Sequence, residues 1–187
     1  MPPLLPEAAE IEAALSAAPS HLRGDAGVYV LTESGYRQVR ESGNGFTCLI
    51  NRAFADAFEP ECFDAEGTAT ILPVVLFHAQ QRARGGTRQQ IERDIEARYA
   101  RGEFIAPRRV GICYMLSNRN VVVLDRKTGK VGPAGPHLMF YAPNLHNQQF
   151  GATPDFASHF LIADEGSATA MIIVPVNPTA SDVAAHH

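Results

Sequence analysis

The sequence predicts a single α+β domain: a mainly antiparallel sheet, made of a meander plus a hairpin, with two or three helices packed on one face. Three observations carry that expectation. Short apolar runs rich in β-branched residues are cut by Gly, Asn and Ser turns, as strands are. Two longer segments have helical spacing with start and stop signals. No strand–helix–strand alternation and no internal repeat calls for a parallel sheet or a solenoid. The length of 187 residues suits one domain. Residues 1–25 read as an N-terminal extension with a short helix, 26–176 as the domain, and 177–187 as a disordered tail.

Glu7 to Ala18 is rich in Ala and Glu, with Ile11 and Leu15 four apart, so it forms a short amphipathic helix. Val28 to Leu31 is a β-branched run, Ser34-Gly35 turns it, and Tyr36 to Arg40 returns. The Asn44-Gly45 pair predicts a second hairpin turn into Phe46 to Ile50, which completes the meander. By alternation Cys48 faces the core. Asn51 to Thr70 has aromatics but no period and reads as an ordered loop fit to wall a pocket.

Pro73 opens a helix through Arg84 that stops at Gly85-Gly86. Thr87 and Gln90 form a capping box, followed by Ile91, Ile95 and Tyr99 on one stripe and by Gly102 as the stop. Gly111 to Leu116 and Val121 to Asp125 read as a hairpin about the Ser117 to Asn120 turn, and Thr128-Gly129 turns the chain again. His137 to Tyr141 is a strand ended by Pro143, and Met171 to Val176 is another, with Pro175 marking an edge strand or a strand end.

Sixteen basic against 20 acidic residues give a net charge of −4, and the dense basic cluster Arg82, Arg84 and Arg88 has no aromatic platforms, so nucleic acid is not expected as a partner. No apolar run approaches membrane-span length, and Pro2, Pro3 and Pro6 stand where a signal peptide needs its basic and apolar regions, so the chain reads as soluble. A Pro-rich start and a terminal His186-His187 pair also fit a chain trimmed from a longer one, which leaves the compartment open. The sequence does not fix the oligomeric state.

Cys48, Cys62 and Cys113 lack the spacing of a thiolate metal site. In an exported chain Cys48 and Cys62 are the pair to bridge; in a reducing compartment all three are thiols, and buried cysteines also serve as small apolar residues.

The sharpest constellation is the strand at 137–141, where alternation puts His137, Met139 and Tyr141 on one face. A sheltered His beside a Tyr is able to move a proton or hold a polar ligand, and equally to be a satisfied core residue. Cys48 is a candidate nucleophile with His137, although its neighbours offer nothing to lower a thiol pKa. No Gly-x-Ser-x-Gly occurs, and Ser34, Ser42 and Ser167 belong to turns. No metal is expected: His137, His146 and His159 meet only through the fold, and Asp64 and Glu66 have solvated or turn roles. No glycine-rich phosphate loop supports a nucleotide, so no cofactor is expected. Arg52, Arg108 and Arg109 flank strand ends, where arginines clamp anions or simply solvate an edge.

The blocks Asn44 to Leu49, Pro60-Glu61-Cys62, Gly111 to Ser117 and Pro136 to Pro143 together resemble a family of uncharacterised bacterial hypothetical proteins over roughly residues 26 to 176. That resemblance implies an exported origin and supplies no activity.

The leading expectation is a small-ligand pocket between the sheet and the 51–70 loop, with His137, Met139, Tyr141, Arg52 and Arg108 as its contacts. The alternatives are an enzyme with His137 as general acid or base assisted by Tyr141 or Cys48, and a structural or interaction domain that has no pocket and meets a partner through the Pro175 edge or an apolar patch.

Overall fold

A computed structural model describes residues 3–54, 56–125, 128–151 and 161–176; the expected 177–187 tail and His159 lie outside them. Helix α1 (Glu7–Leu15) and the short α2 (Ser20–Arg23) precede the hairpin of β1 (Gly27–Thr32) and β2 (Gly35–Arg40). Then come β3 (Thr47–Asn51), β4 (Glu59–Phe63), α3 (Ala65–Thr70), α4 (Leu72–Ala83) and α5 (Arg88–Ala100). The rest is β5 (Ile112–Met115), β6 (Val121–Asp125), β7 (Lys130–Pro133), β8 (His137–Tyr141), α6 (Asn147–Phe150), β9 (Leu161–Ala163) and β10 (Met171–Pro175). Eight strands form one sheet in the order β2-β1-β3-β4-β5-β8-β10-β9, and β6 with β7 forms a separate ribbon.

The α+β class holds, and the wiring differs from the expected meander at three places. First, β3 pairs with β1, in parallel, and not with β2. Asn44 does not make a two-residue hairpin turn: its amide donates to Leu22 O and its carbonyl accepts Phe46 N–H, which ties the loop to the α2 end of β1. The polarity of β2 explains the choice, since Arg37 and Gln38 are exposed on an edge strand but would be buried, at a cost, in the middle of a meander. The buried residues of β3 take the inner place instead.

Second, the 51–70 segment is not a loop: it contains β4 and α3. Pro60 is tolerated inside β4 because the ladder to β5 covers only Cys62 and Phe63. Third, β5 and β6 do not form a hairpin. Asn120 is buried, its side-chain amide donates to Met115 O and its backbone carbonyl accepts Ala134 N–H, so the turn leaves the sheet, and β6 pairs with β7. Pro175 ends β10 beside His137; β10 lies between β8 and β9 and is no edge.

The register lays Val28, Cys48, Cys62, Tyr114, Leu138 and Val174 side by side on one face. The other face carries the row Phe63, Cys113, Met139 and Ile173. Helix α1 covers the first face over β1, β3 and β4, where buried Ala13, Ala14, Ala17 and Ala18 allow a close approach. On the second face α3 and α4 pack on Leu49, Phe63 and Cys113, with α5 against α4. Helix α5 begins at the expected capping box of Thr87 and Gln90.

Cys48 and Cys62 face each other across β3 and β4 and are joined by a disulfide, 14 residues apart in sequence, beneath α1. Closing a loop of this length stabilises by about 3 kcal/mol on the chain-entropy account. Reduction with a membrane-permeant phosphine under mild denaturant should therefore lower the urea midpoint by that equivalent; an unchanged midpoint would show that the two strands hold without the bridge.

Candidate functional site

The residues expected to converge lie at opposite ends of the sheet. On β8, His137, Met139 and Tyr141 do share a buried face while Leu138 and Phe140 are half-buried. Tyr141 stands at the end of the sheet where Gly111 and Asp64 lie, and His137 at the end where β3 runs out towards Arg52. Met139 packs in the core with Cys113 and Ile173 and has no polar role.

At the Tyr141 end the organising group is Asp64. Its side chain caps α3 by accepting Gly67 N–H on Oδ1 at 2.9 Å, and Oδ2 accepts Ile112 N–H at 2.9 Å. The Tyr141 hydroxyl lies 3.1 Å from Oδ1 and 2.9 Å from Ile112 O, and its single proton serves one of the two. Burial first, with the Asp64 carboxylate among its anionic neighbours, pushes the phenol far above its ordinary range, so Tyr141 stays protonated. The node is tight: a Cβ at Gly67 would sit 2.0 Å from the Tyr141 oxygen, and one at Gly111 would sit 2.5 Å from Asp64 Oδ2. Asp64, expected in a solvated or turn role, is a structural hub; an Asp just before a helical segment with Glu in its first turn is the signal for it.

Arg108 is exposed, and its backbone N–H, not its guanidinium, donates to Glu66 Oε1 at 2.7 Å. Arg109 reaches Glu66 Oε2 at 3.1 Å. The Arg108 N–H first, then Arg109, holds Glu66 below the usual carboxylate range. Glu66 thus engages the Arg109 guanidinium and the Arg108 backbone. Cys48, bonded to Cys62, has no thiolate to offer as a nucleophile. Cys113 is a free thiol that burial pushes well up, so it stays protonated.

His137 is 2% exposed, with Nδ1 2.8 Å from Gly135 O. Burial lowers its pKa, only partly offset by that carbonyl. It is a neutral core imidazole, and neither of the two cavities described here, about 340 Å³ at the α4–α5 turn and about 530 Å³ beside α1, is lined by it.

The arginine at the end of β3 differs from the rest. Arg52 is 8% exposed, its guanidinium lies over the Phe58 ring at 4.6 Å, and among the described residues it donates to no acceptor; Nε is sealed from solvent. Arg119, exposed on the turn after β5, places its own guanidinium 4.9 Å from the same ring and also has no acceptor among the described residues. The backbone beneath is fixed by Arg82, whose Nη1 donates to the carbonyls of Arg52 and Ala53. Two guanidinium groups thus stand against one phenyl ring, neither with an acceptor among the described residues. Sequence reading finds Arg52 as a strand-end arginine; nothing in the spacing joins it to Phe58 or Arg119.

Two outcomes test the structural assignments. Gly67→Ala should cost about 2 kcal/mol in urea unfolding through overpacking. Tyr141→Phe alone should cost about 1 kcal/mol, but less in the Gly67→Ala background, where losing the hydroxyl removes the closest contact and leaves the ring carbon at 2.7 Å. For His137 the folded pKa lies below the unfolded value of about 6.5. Its contribution is present above that value and is lost as pH falls through the folded pKa. Stability should drop on acidification from pH 7, less steeply in His137→Gln; equal slopes in the two proteins would deny the buried neutral imidazole.

Among the described residues no group of His, Cys, Asp and Glu is placed to hold a metal ion, and no helix is long and apolar enough to cross a membrane. No protein-family model, curated protein or solved structure matches the chain.

Proposed function

We propose that this protein is a small-ligand-binding domain whose ligand carries a carboxylate or phosphate held at the corner of Arg52, Phe58 and Arg119. The observation that carries the reading is the Arg52 guanidinium, buried yet without a hydrogen-bond acceptor among the described residues. A buried donor left unmet costs roughly 1–3 kcal/mol, more when charged, and folded proteins rarely leave one without a use. Stacking on Phe58 and the Arg82 bonds to the backbone hold the group ready, so little ordering remains to be done on binding. The ligand reading made from the sequence is kept, and its anchor moves from the β8 strand to Arg52. Burial of His137 counts against the general acid or base alternative, which needs contact with substrate. The disulfide supports a working place in an oxidising compartment, in keeping with the exported bacterial family that the sequence resembles.

Titration calorimetry with inorganic phosphate and with acetate tests this. At low salt at least one of these anions should bind once per chain, weakening as salt screens the charges. Arg119→Gln, on the exposed side and harmless to folding, should weaken it about tenfold, the equivalent of about 1.4 kcal/mol. Arg52→Gln should abolish it. The reading is wrong if neither anion binds, or if both variants bind as the wild type does.

A further inference from the structure

A second unmet charge lies on α1, apart from the Arg52 corner. Helical spacing turns Glu7 and Glu10 to the same side. Glu10 is 2% exposed and stands in the wall of a cavity of about 530 Å³ between the start of α1 and the β1–β2 hairpin. One of its oxygens, Oε1, accepts Leu31 N–H at 3.4 Å, where β1 has left its short parallel ladder with β3. The other oxygen has no donor among the described residues.

We propose that this cleft binds an organic cation, a primary ammonium on a short apolar chain, with the ammonium on Glu10. Charge and lining select that class. Three carboxylates, Glu7, Glu10 and Glu33, stand against one guanidinium, Arg37, which Glu7 already pairs at 2.6 Å. An anion would meet repulsion there. Leu4, Leu5, Val30 and Leu31 supply apolar walls, and Leu4 is 42% exposed at the mouth, open to contact with an alkyl chain. A bare metal ion would want several oxygen ligands around it, which those walls do not give. The cleft falls within the usual size of small-ligand sites. A bound ammonium would give the idle Glu10 oxygen a charged donor inside a desolvated site, where such bonds are strongest. Burial raises the Glu10 carboxyl above its ordinary value, while Leu31 N–H and, more weakly, Arg52 pull it back.

The test is a ¹H–¹⁵N titration of the wild-type protein with n-butylammonium, n-butanol and butyrate at equal concentrations. Saturable shifts centred on the Leu31 amide are expected with n-butylammonium, at least tenfold weaker ones with n-butanol, and none with butyrate. Glu10→Gln should remove the ammonium preference, and Leu4→Ala, at an exposed site that leaves the fold intact, should weaken n-butylammonium about threefold. The inference fails if the Leu31 amide does not move, if the alcohol binds as well as the ammonium, or if a folded Glu10→Gln protein keeps wild-type affinity. This site is read at the Leu31 amide with n-butylammonium and the anion corner through Arg119→Gln with phosphate or acetate, so failure of one reading is distinguishable from failure of the other.

Discussion

Asp64 occupies the point where β4 ends, α3 begins and both β5 and β8 pass, and its carboxylate is hydrogen-bonded to groups on α3, β5 and β8. It takes Gly67 N–H from the helix, Ile112 N–H from β5 and shares the Tyr141 hydroxyl of β8 with Ile112 O. The backbone repeats the tie, since Asp64 N–H donates to Ile112 O. The Gly67 and Ile112 N–H groups have no other acceptor among the described residues, so the carboxylate sets how closely the three elements approach. Glycine at 67 and at 111 follows from that closeness, because any side chain there would meet Tyr141 or Asp64. With the distance fixed, Phe63, Cys113 and Met139 fall into one buried row and α3 and α4 close over it.

The other face is held differently. Cys48 and Cys62 bridge β3 to β4 under the alanines of α1, and no polar hub is needed because the contact is small side chains on a flat surface. The parallel ladder between β1 and β3, like the antiparallel one between β4 and β5, covers only two residue pairs. Beyond it the backbone must be satisfied by side chains: Glu10 accepts Leu31 N–H, and the Tyr36 hydroxyl donates to Ile50 O at 2.6 Å. A short ladder thus explains why a carboxylate from α1 is drawn so deep.

How far the sequence could be read follows from where local signals agree with the fold. The strand at His137 to Tyr141 and the helix from Arg88 were legible because alternation and a capping box are local. Strand β4 was hidden by Glu59, Pro60 and Glu61, residues that strands disfavour and that only the neighbouring β3 makes tolerable. Asn44-Gly45 carried the strongest hairpin signal in the chain and still did not make one, since burying Arg37 and Gln38 would have outweighed a turn preference. Of the candidate site residues, Arg52 could be picked out by its position. Glu10 could not: within an Ala- and Glu-rich helix a glutamate looks like a solvated one, and only the packing of α1 against β1 turns it inward.

Glu10 and Arg52 are both buried, and burial raises the Glu10 carboxyl while Arg52 is near enough to offset a small part of that, yet the two form no ion pair. Were stability the sole constraint, two opposite charges this close would be joined, or replaced by apolar residues of similar volume, since an isolated buried charge is among the costliest arrangements a fold can keep. Here both are held apart by independent supports, Glu10 by Leu31 and Arg52 by Phe58. Each keeps hydrogen-bonding capacity that the described residues do not use. Two buried charges kept separately, each with hydrogen-bonding capacity that the described residues leave unused, are what the two proposed sites would need and what packing alone would not favour.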